Sequence, residues 1–269
     1  MTSETVAPTI SLAVRDEFRR TLHGRLEVPI TVAVNGVLVS IAWFFLPTKL
    51  NNVLFNLHSS MAFALVLAVW MYSDVPATNV LGPDPDRARA ALDDPKLLRR
   101  LLLAKNFVLW CLVTPACVVV ALVNGAMTQS VVSTLYTVLL IAIVPWGVLP
   151  IAGWLGIAYP YSPMTLRTRW KHRQPRRTML WRWGALITLP YAVVPVVGSA
   201  IMAPSLVLWR VLSTDENYQK FPYRNLGFAV ALACIVAIAS TAIGLRFAFT
   251  IATKRRTHIL EFLADPLRG

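Results

Sequence analysis

Six runs of the chain, near residues 28–46, 54–73, 102–124, 131–159, 184–209 and 226–252, contain no aspartate or glutamate. Each comes close to or exceeds the roughly 20 apolar residues that a helix needs to cross the hydrocarbon of a bilayer. Composition agrees. Hydrophobic residues make up 56% of the chain, charged residues only 14%, and mean hydropathy is +0.58, whereas soluble domains carry about 25% charged residues. The expected fold is all-α: a polytopic membrane protein of six transmembrane helices in one domain spanning 1–269. The first run is expected to stay as a span, because acidic groups lie among the residues before it and no small-residue cleavage site follows at Phe45-Leu46-Pro47.

Orientation follows from the basic residues, which accumulate on the cytoplasmic side near membrane ends. Of 26 Lys and Arg, 22 fall in the N-terminal segment, the 74–105 loop, the 161–183 loop and the tail from Arg246 onward; the other face holds Lys49, Arg210, Lys220 and Arg224. Both termini are therefore expected in the cytoplasm, a parity that six crossings satisfy. Arginine outnumbers lysine and Ala and Val abound, a composition that points to a high-GC bacterium and hence to its inner (plasma) membrane.

The net charge of +13 invites a nucleic-acid reading, with "RTRWKHRQPRR" (167–177) as its candidate. Topology accounts for it without a nucleic acid. The segment joins two spans on the cytoplasmic side, anionic headgroups attract each nearby Lys or Arg by about 1 kcal/mol, and Trp170, Trp181 and Trp183 suit an interfacial belt. Membrane lipids, not nucleic acid, are the expected partner.

Polar chemistry inside the spans is sparse. Cys111, Cys117 and Cys234 show no CxxC spacing, so they are read as small packing residues and no metal site is expected. Asn56 and His58 stand near the outer end of the second run, either as interfacially solvated groups or as lining of a substrate path. Without an intramembrane carboxylate there is no relay of the kind used by ion-coupled transporters. No GxxxxGK[ST], HExxH, GxSxG or GxGxxG occurs, so the chain has no P-loop of its own.

The soluble ends carry explicit helix signals. Within 10–26, Val14, Phe18 and Leu22 repeat every four residues, with Arg15, Arg19 and Arg20 beside them, which predicts an amphipathic helix lying in the interface. In "NVLGPDPDRARAALDDPKLLRRLLLAKN" (79–106), Asp84 and Pro85 read as N-cap and first helical residue of a short helix over about 85–92, with Asp86 favourably placed at its dipole. Asp94 and Pro95 repeat the device and start a helix that continues into the third span.

An interfacial helix, two spans, a short cytoplasmic helix and four more spans, in that order, resemble the permease subunit of type-2 ATP-binding-cassette exporters. "TNVLGPD" (78–84), the leucine-containing helix ending at "DDP" (93–95), and "RRLLLAKN" (99–106) are similar to the segment such permeases carry between spans two and three. The resemblance implies that 79–105 forms a coupling-helix loop in which Asp84, Pro85, Asp86, Arg87, Arg89, Asp93 and Asp94 meet a separate P-loop ATPase. Arg87 and Arg89 would face acidic groups of that partner, and Asp84 and Asp86 would cap the helix. The chain itself would be no enzyme and hold no cofactor, ATP and magnesium belonging to the ATPase, and a second permease copy or paralogue would complete the path. The family also places short re-entrant helices before its last span, and Pro204 with the apolar run to Trp209 allows one here.

Two other readings stand beside this one. UbiA-type prenyltransferases hold magnesium pyrophosphate with aspartates in the same loop, and Asn79, Asp84, Asp86 and Asp93 resemble that set, although Val80 breaks its spacing and no second aspartate cluster follows. A membrane scaffold or assembly factor is the third. Within the bundle, Ala233, Ala237, Thr241, Ser240 and Gly244 would let the last span approach another helix closely, in a neighbouring subunit or in the same chain. Pro145, Pro150, Pro160, Pro190 and Pro195 predict kinks at which side chains or water satisfy freed carbonyls.

Overall fold

The structure, a computed structural model, describes residues 8–23, 27–45, 60–73, 79–128, 131–158, 176–212 and 223–264. All regular structure among them is helical: α1 (Ile10–His23), α2 (Glu27–Phe45), α3 (Ser60–Tyr72), α4 (Pro85–Asp93), α5 (Pro95–Thr128), α6 (Val131–Ala158), α7 (Arg176–Leu212), α8 (Tyr223–Lys254) and α9 (Arg256–Ala264). Segments Pro95–Ala126, Val131–Ala158, Thr188–Leu208 and Asn225–Lys254 are long and apolar enough to cross a membrane. They contain or coincide with most of the expected third to sixth spans. The first two expected spans map onto α2 and α3, whose described apolar stretches are shorter, and Asn56 and His58 lie outside the described residues.

The Asp94-Pro95 signal folds as read. Asp94 takes an extended conformation, φ −131° and ψ 114°, and its Oδ1 accepts the N–H of Lys96 at 2.8 Å, a first-turn cap. This one extended residue separates α4 from α5, which then runs unbroken for 34 residues, about 50 Å at 1.5 Å per residue. The hydrocarbon is about 30 Å thick, so α5 is longer than a straight crossing needs, and its first two turns carry Lys96, Arg99 and Arg100.

The centre of the bundle is α6. It is 61% buried along its most apolar window, against at most 39% in the other three long helices. Its closest neighbour is α8, and the small residues of the last span serve that contact: Ala229, Ala233 and Ala237 are buried, and a Cβ on Gly244 would stand 2.8 Å from the carbonyl carbon of Pro150 and 2.9 Å from Ile151 N. The small-residue stripe is thus spent inside the chain.

Proline also behaves as expected at one site. Pro150 has no N–H, so the carbonyl of Trp146, four residues earlier, loses its helical donor. The hydroxyl of Thr241 on α8 lies 2.6 Å from that oxygen and 2.8 Å from its own Ala237 carbonyl, so an adjacent helix restores the bond that lipid could not. By contrast α7 continues through Pro190, Pro195 and Pro204 to Leu212. Pro204 starts no re-entrant helix; its neighbour Ser205 is buried, donating to Ala229 O at 2.8 Å and bonding the Tyr136 hydroxyl at 2.6 Å, which holds α7 against α6 and α8.

We expect Gly244→Ala to force α6 and α8 apart, at about 1–3 kcal/mol for an overpacked contact, and to lower the thermal midpoint of the detergent-solubilised chain. Gly227→Ala on the same helix, where a Cβ meets nothing within 4 Å, should leave that midpoint unchanged or raise it.

Candidate functional site

The expected coupling segment is built into the end of the bundle at which α5 begins. Asn79 is buried, and its Oδ1 accepts the N–H of Gly82 at 3.2 Å, a local turn that seats Val80 and Leu81 in the core before α4 starts. Ala88 and Ala91 of α4 then pack with Leu98, Leu101 and Leu102 of α5, Ile157 of α6, Ala248 and Ala252 of α8, and Ile259, Phe262 and Leu263 of α9. Two inward alanines let this nine-residue helix lie close against α5 and α9.

Arg87 shares that inward face and is only 1% exposed. Its Nη1 donates to Glu17 Oε2 of α1 at 2.7 Å. Lys105 of α5 donates to Val80 O at 2.6 Å and lies 3.9 Å from Glu17 Oε1 and 3.7 Å from Asp84 Oδ2. Arg20 of α1 stands 3.6 Å from Asp84 Oδ1. The five side chains alternate in sign, Arg87, Glu17, Lys105, Asp84, Arg20, and tie α1, α4 and α5 together. The Arg87–Glu17 contact is a short charge-assisted hydrogen bond; the others are longer ion pairs. Arg87 Nε and Nη2 have no hydrogen-bond partner among the described residues, so Glu17 alone compensates a buried guanidinium.

This geometry corrects two expectations. Asp84 makes no side-chain cap on α4; two cations compete for its carboxylate, and ion pairing wins over a neutral amide. Arg87 does not face outward, because the acid it meets is Glu17 of this chain. Glu17 was missed in the sequence, and Lys105, expected with Arg99 and Arg100 at the headgroups, is instead buried beside Glu17 and Asp84. The face of α1 that packs on the bundle is Ala13, Glu17 and Thr21, while Leu22 of the expected apolar stripe is exposed. A lone acid spaced four residues from Ala and from Thr is the available signal, one that an apolar stripe beside it obscures.

The remaining expected residues lie on the rim. Pro85 is exposed. Arg89 Nη1 bonds Asp86 Oδ1 at 3.1 Å, and its Nη2 donates at 2.5 Å to Leu263 O in the last turn of α9, an end whose carbonyls lack helical donors. Asp93 pairs with Arg256 of α9. The side chains of Asp86 and Asp93 remain 80% and 61% exposed, and Asp94 is engaged in its cap. Asp84, Asp86 and Asp93 therefore face separate bases and do not converge on one point, as bridging a magnesium pyrophosphate would require. No group of three His, Cys, Asp or Glu able to hold a metal ion occurs among the described residues. Ion pairs thus tie α4 to α1 on one side and to α9 on the other.

Removing one partner of a buried pair leaves the other charge uncompensated, at about 3–5 kcal/mol, so Glu17→Gln should markedly destabilise the charged end. Thermal unfolding of Glu17→Gln, Arg87→Met and the double variant should show coupling of about 1–3 kcal/mol; additive effects would mean that the two side chains act separately. Neither a known protein family, nor a curated protein, nor a solved structure matches this chain.

Proposed function

We propose that the chain is the membrane subunit of an ATP-binding-cassette exporter, forming part of a substrate path and driven by a separate P-loop ATPase. The observation that carries this reading is the braced α4: a short helix outside the apolar spans, one residue away from a 34-residue helix, with both ends of its surroundings tied by charge to α1 and α9. A helix so placed accepts force from a soluble partner and delivers it to the bundle as rigid-body motion. On this reading α2 and α3, with the residues around them, supply the first two of six spans. Both termini lie in the cytoplasm, and a second copy or a paralogue completes the path in the plasma membrane.

The burial of Arg87 moves the proposed docking surface. Its outward groups are Pro85, Asp86 and Asp93, with Arg89 shared between Asp86 and α9, so the partner presents basic groups here. Reversing Arg87 would break the chain's own packing and test nothing about docking. Asp86 and Asp93 are the informative positions, because exposed ion pairs contribute only about 0–1 kcal/mol to folding while like charges in an interface cost several.

Purified with its native partners, the full chain should bring down magnesium-dependent ATP hydrolysis. Asp86→Arg combined with Asp93→Arg should abolish that association while membrane insertion stays normal; full association of the double variant would overturn the docking model. Topology is checked separately in a background without native cysteines. Met127→Cys should label from outside the cell and His172→Cys should not, and labelling of both from one side would overturn the six-span orientation.

A further inference from the structure

A groove of about 780 Å³ runs along the face of α2, between it, α3 and α5. Its wall on α2 is Pro29, Val32, Ala33, Gly36, Val37, Ile41 and Phe45; Leu67 and Met71 of α3 and Leu112, Ala116 and Val120 of α5 complete it. Every described residue that lines it is apolar. The volume is that of a small-molecule pocket, and from Pro29 to Phe45 it follows α2 for about 24 Å, most of the ~30 Å hydrocarbon thickness.

One end of the groove is basic. Pro29 stands in the first turn of α2, and Glu27, where α2 begins, lies four residues after His23, at most about 14 Å of extended chain. The last turn of α1 carries Arg20 and His23, preceded by exposed Arg19. The helix that ends in this turn packs on the third and fourth turns of α5, since Ala13 packs on Ala104 and Phe18 meets Phe107 edge-on at 6.4 Å. Leu112, Ala116 and Val120 follow deeper along the same helix. Apolar wall and positive charge are thus stacked in the order in which an anionic lipid presents its acyl chain and its phosphate.

We propose that this groove is a binding site for an anionic glycerophospholipid, with one acyl chain along Ala33, Gly36, Val37 and Ala116 and the phosphate against Arg19 and the last turn of α1. Charge also speaks against the main competing occupant. A second copy seated on this face by a two-fold axis along the helices presents the same patch to itself, so it brings the basic turns of two α1 helices together, and like charges across an interface are costly. The site stands whether or not the chain is an exporter, because it needs no ATPase.

The test uses the full chain alone, reconstituted in phosphatidylcholine nanodiscs with a trace of phosphatidylglycerol carrying a photoactivatable diazirine in its acyl chain. Label should concentrate on the α2 and α5 peptides that line the groove and exceed that from a phosphatidylcholine probe. Ala116→Phe fills the groove from α5 and Ala33→Phe from α2; both alanines are exposed, and either folded variant should lose most of the label. Arg19→Gln should lower the preference for the anionic probe by about fivefold while the chain remains seated. Undiminished label in the folded phenylalanine variants, equal label from both headgroups, or a Val37→Cys cross-link between two copies that displaces the lipid would each overturn the proposal.

Discussion

One buried ion pair, Arg87 with Glu17, holds the charged end of this molecule together. The two residues are separated by 70 positions, so closing them fixes α1 on the bundle and orients α4 at the same time. A guanidinium 1% exposed is costly to desolvate, and a single carboxylate repays that only with good geometry. The 2.7 Å contact supplies it. Lys105 then shares Glu17 with Arg87 and reaches to Asp84, so the charge chain ties the start of α4 to α1 and α5. Such a pair is poor insurance for stability and good insurance for position, because no other side chain of α1 can substitute for Glu17 without stranding Arg87.

Away from that end, hydroxyls do the work that charges do there. Tyr136 and Ser205 bond at 2.6 Å and Ser205 donates a hydrogen bond to Ala229 O; Tyr72 and Thr114 bond at 2.7 Å; Thr241 meets Trp146 O. Each joins two or three long helices. In lipid such bonds average only about 0.6 kcal/mol, so their sum does not hold the bundle. Close packing of small residues does, with backbone against backbone where Gly244 crosses Pro150, and the hydroxyls select which register of that packing is satisfied.

The apolar helices were legible because their signal is local: length and the absence of acids define them whatever they pack against. Asp94-Pro95 was legible for the same reason, since a cap needs only the amides of its own first turn. Asp84-Pro85 carries the same local grammar and starts α4 where expected, but its carboxylate makes no cap, because Arg20 and Lys105, distant in sequence, arrive at it. Glu17 was invisible for the converse reason. An acid on an amphipathic helix is ordinarily solvated, and only the burial of Arg87 turns it inward. The stripe of Ala233, Ala237 and Gly244 announced a close helix contact without saying whether the other helix belonged to the same chain, and the answer lies in Gly147 and Pro150 on α6.

The same contacts limit how the bundle can respond to a push on α4. At Gly244 a methyl group could not be inserted without moving the backbone of α6, so α6 and α8 are already in backbone contact there and cannot approach further. The outer face of α5 is different: along Leu112, Ala116 and Val120 it borders the groove rather than another helix, and α2 closes against it mainly through that groove's rim. On the proposed exporter reading, a displacement of α5 would therefore meet open space of about 780 Å³ on its α2 side and closely packed helices at the centre, while the charges from Arg87 to Arg20 join α1 and α4 to α5.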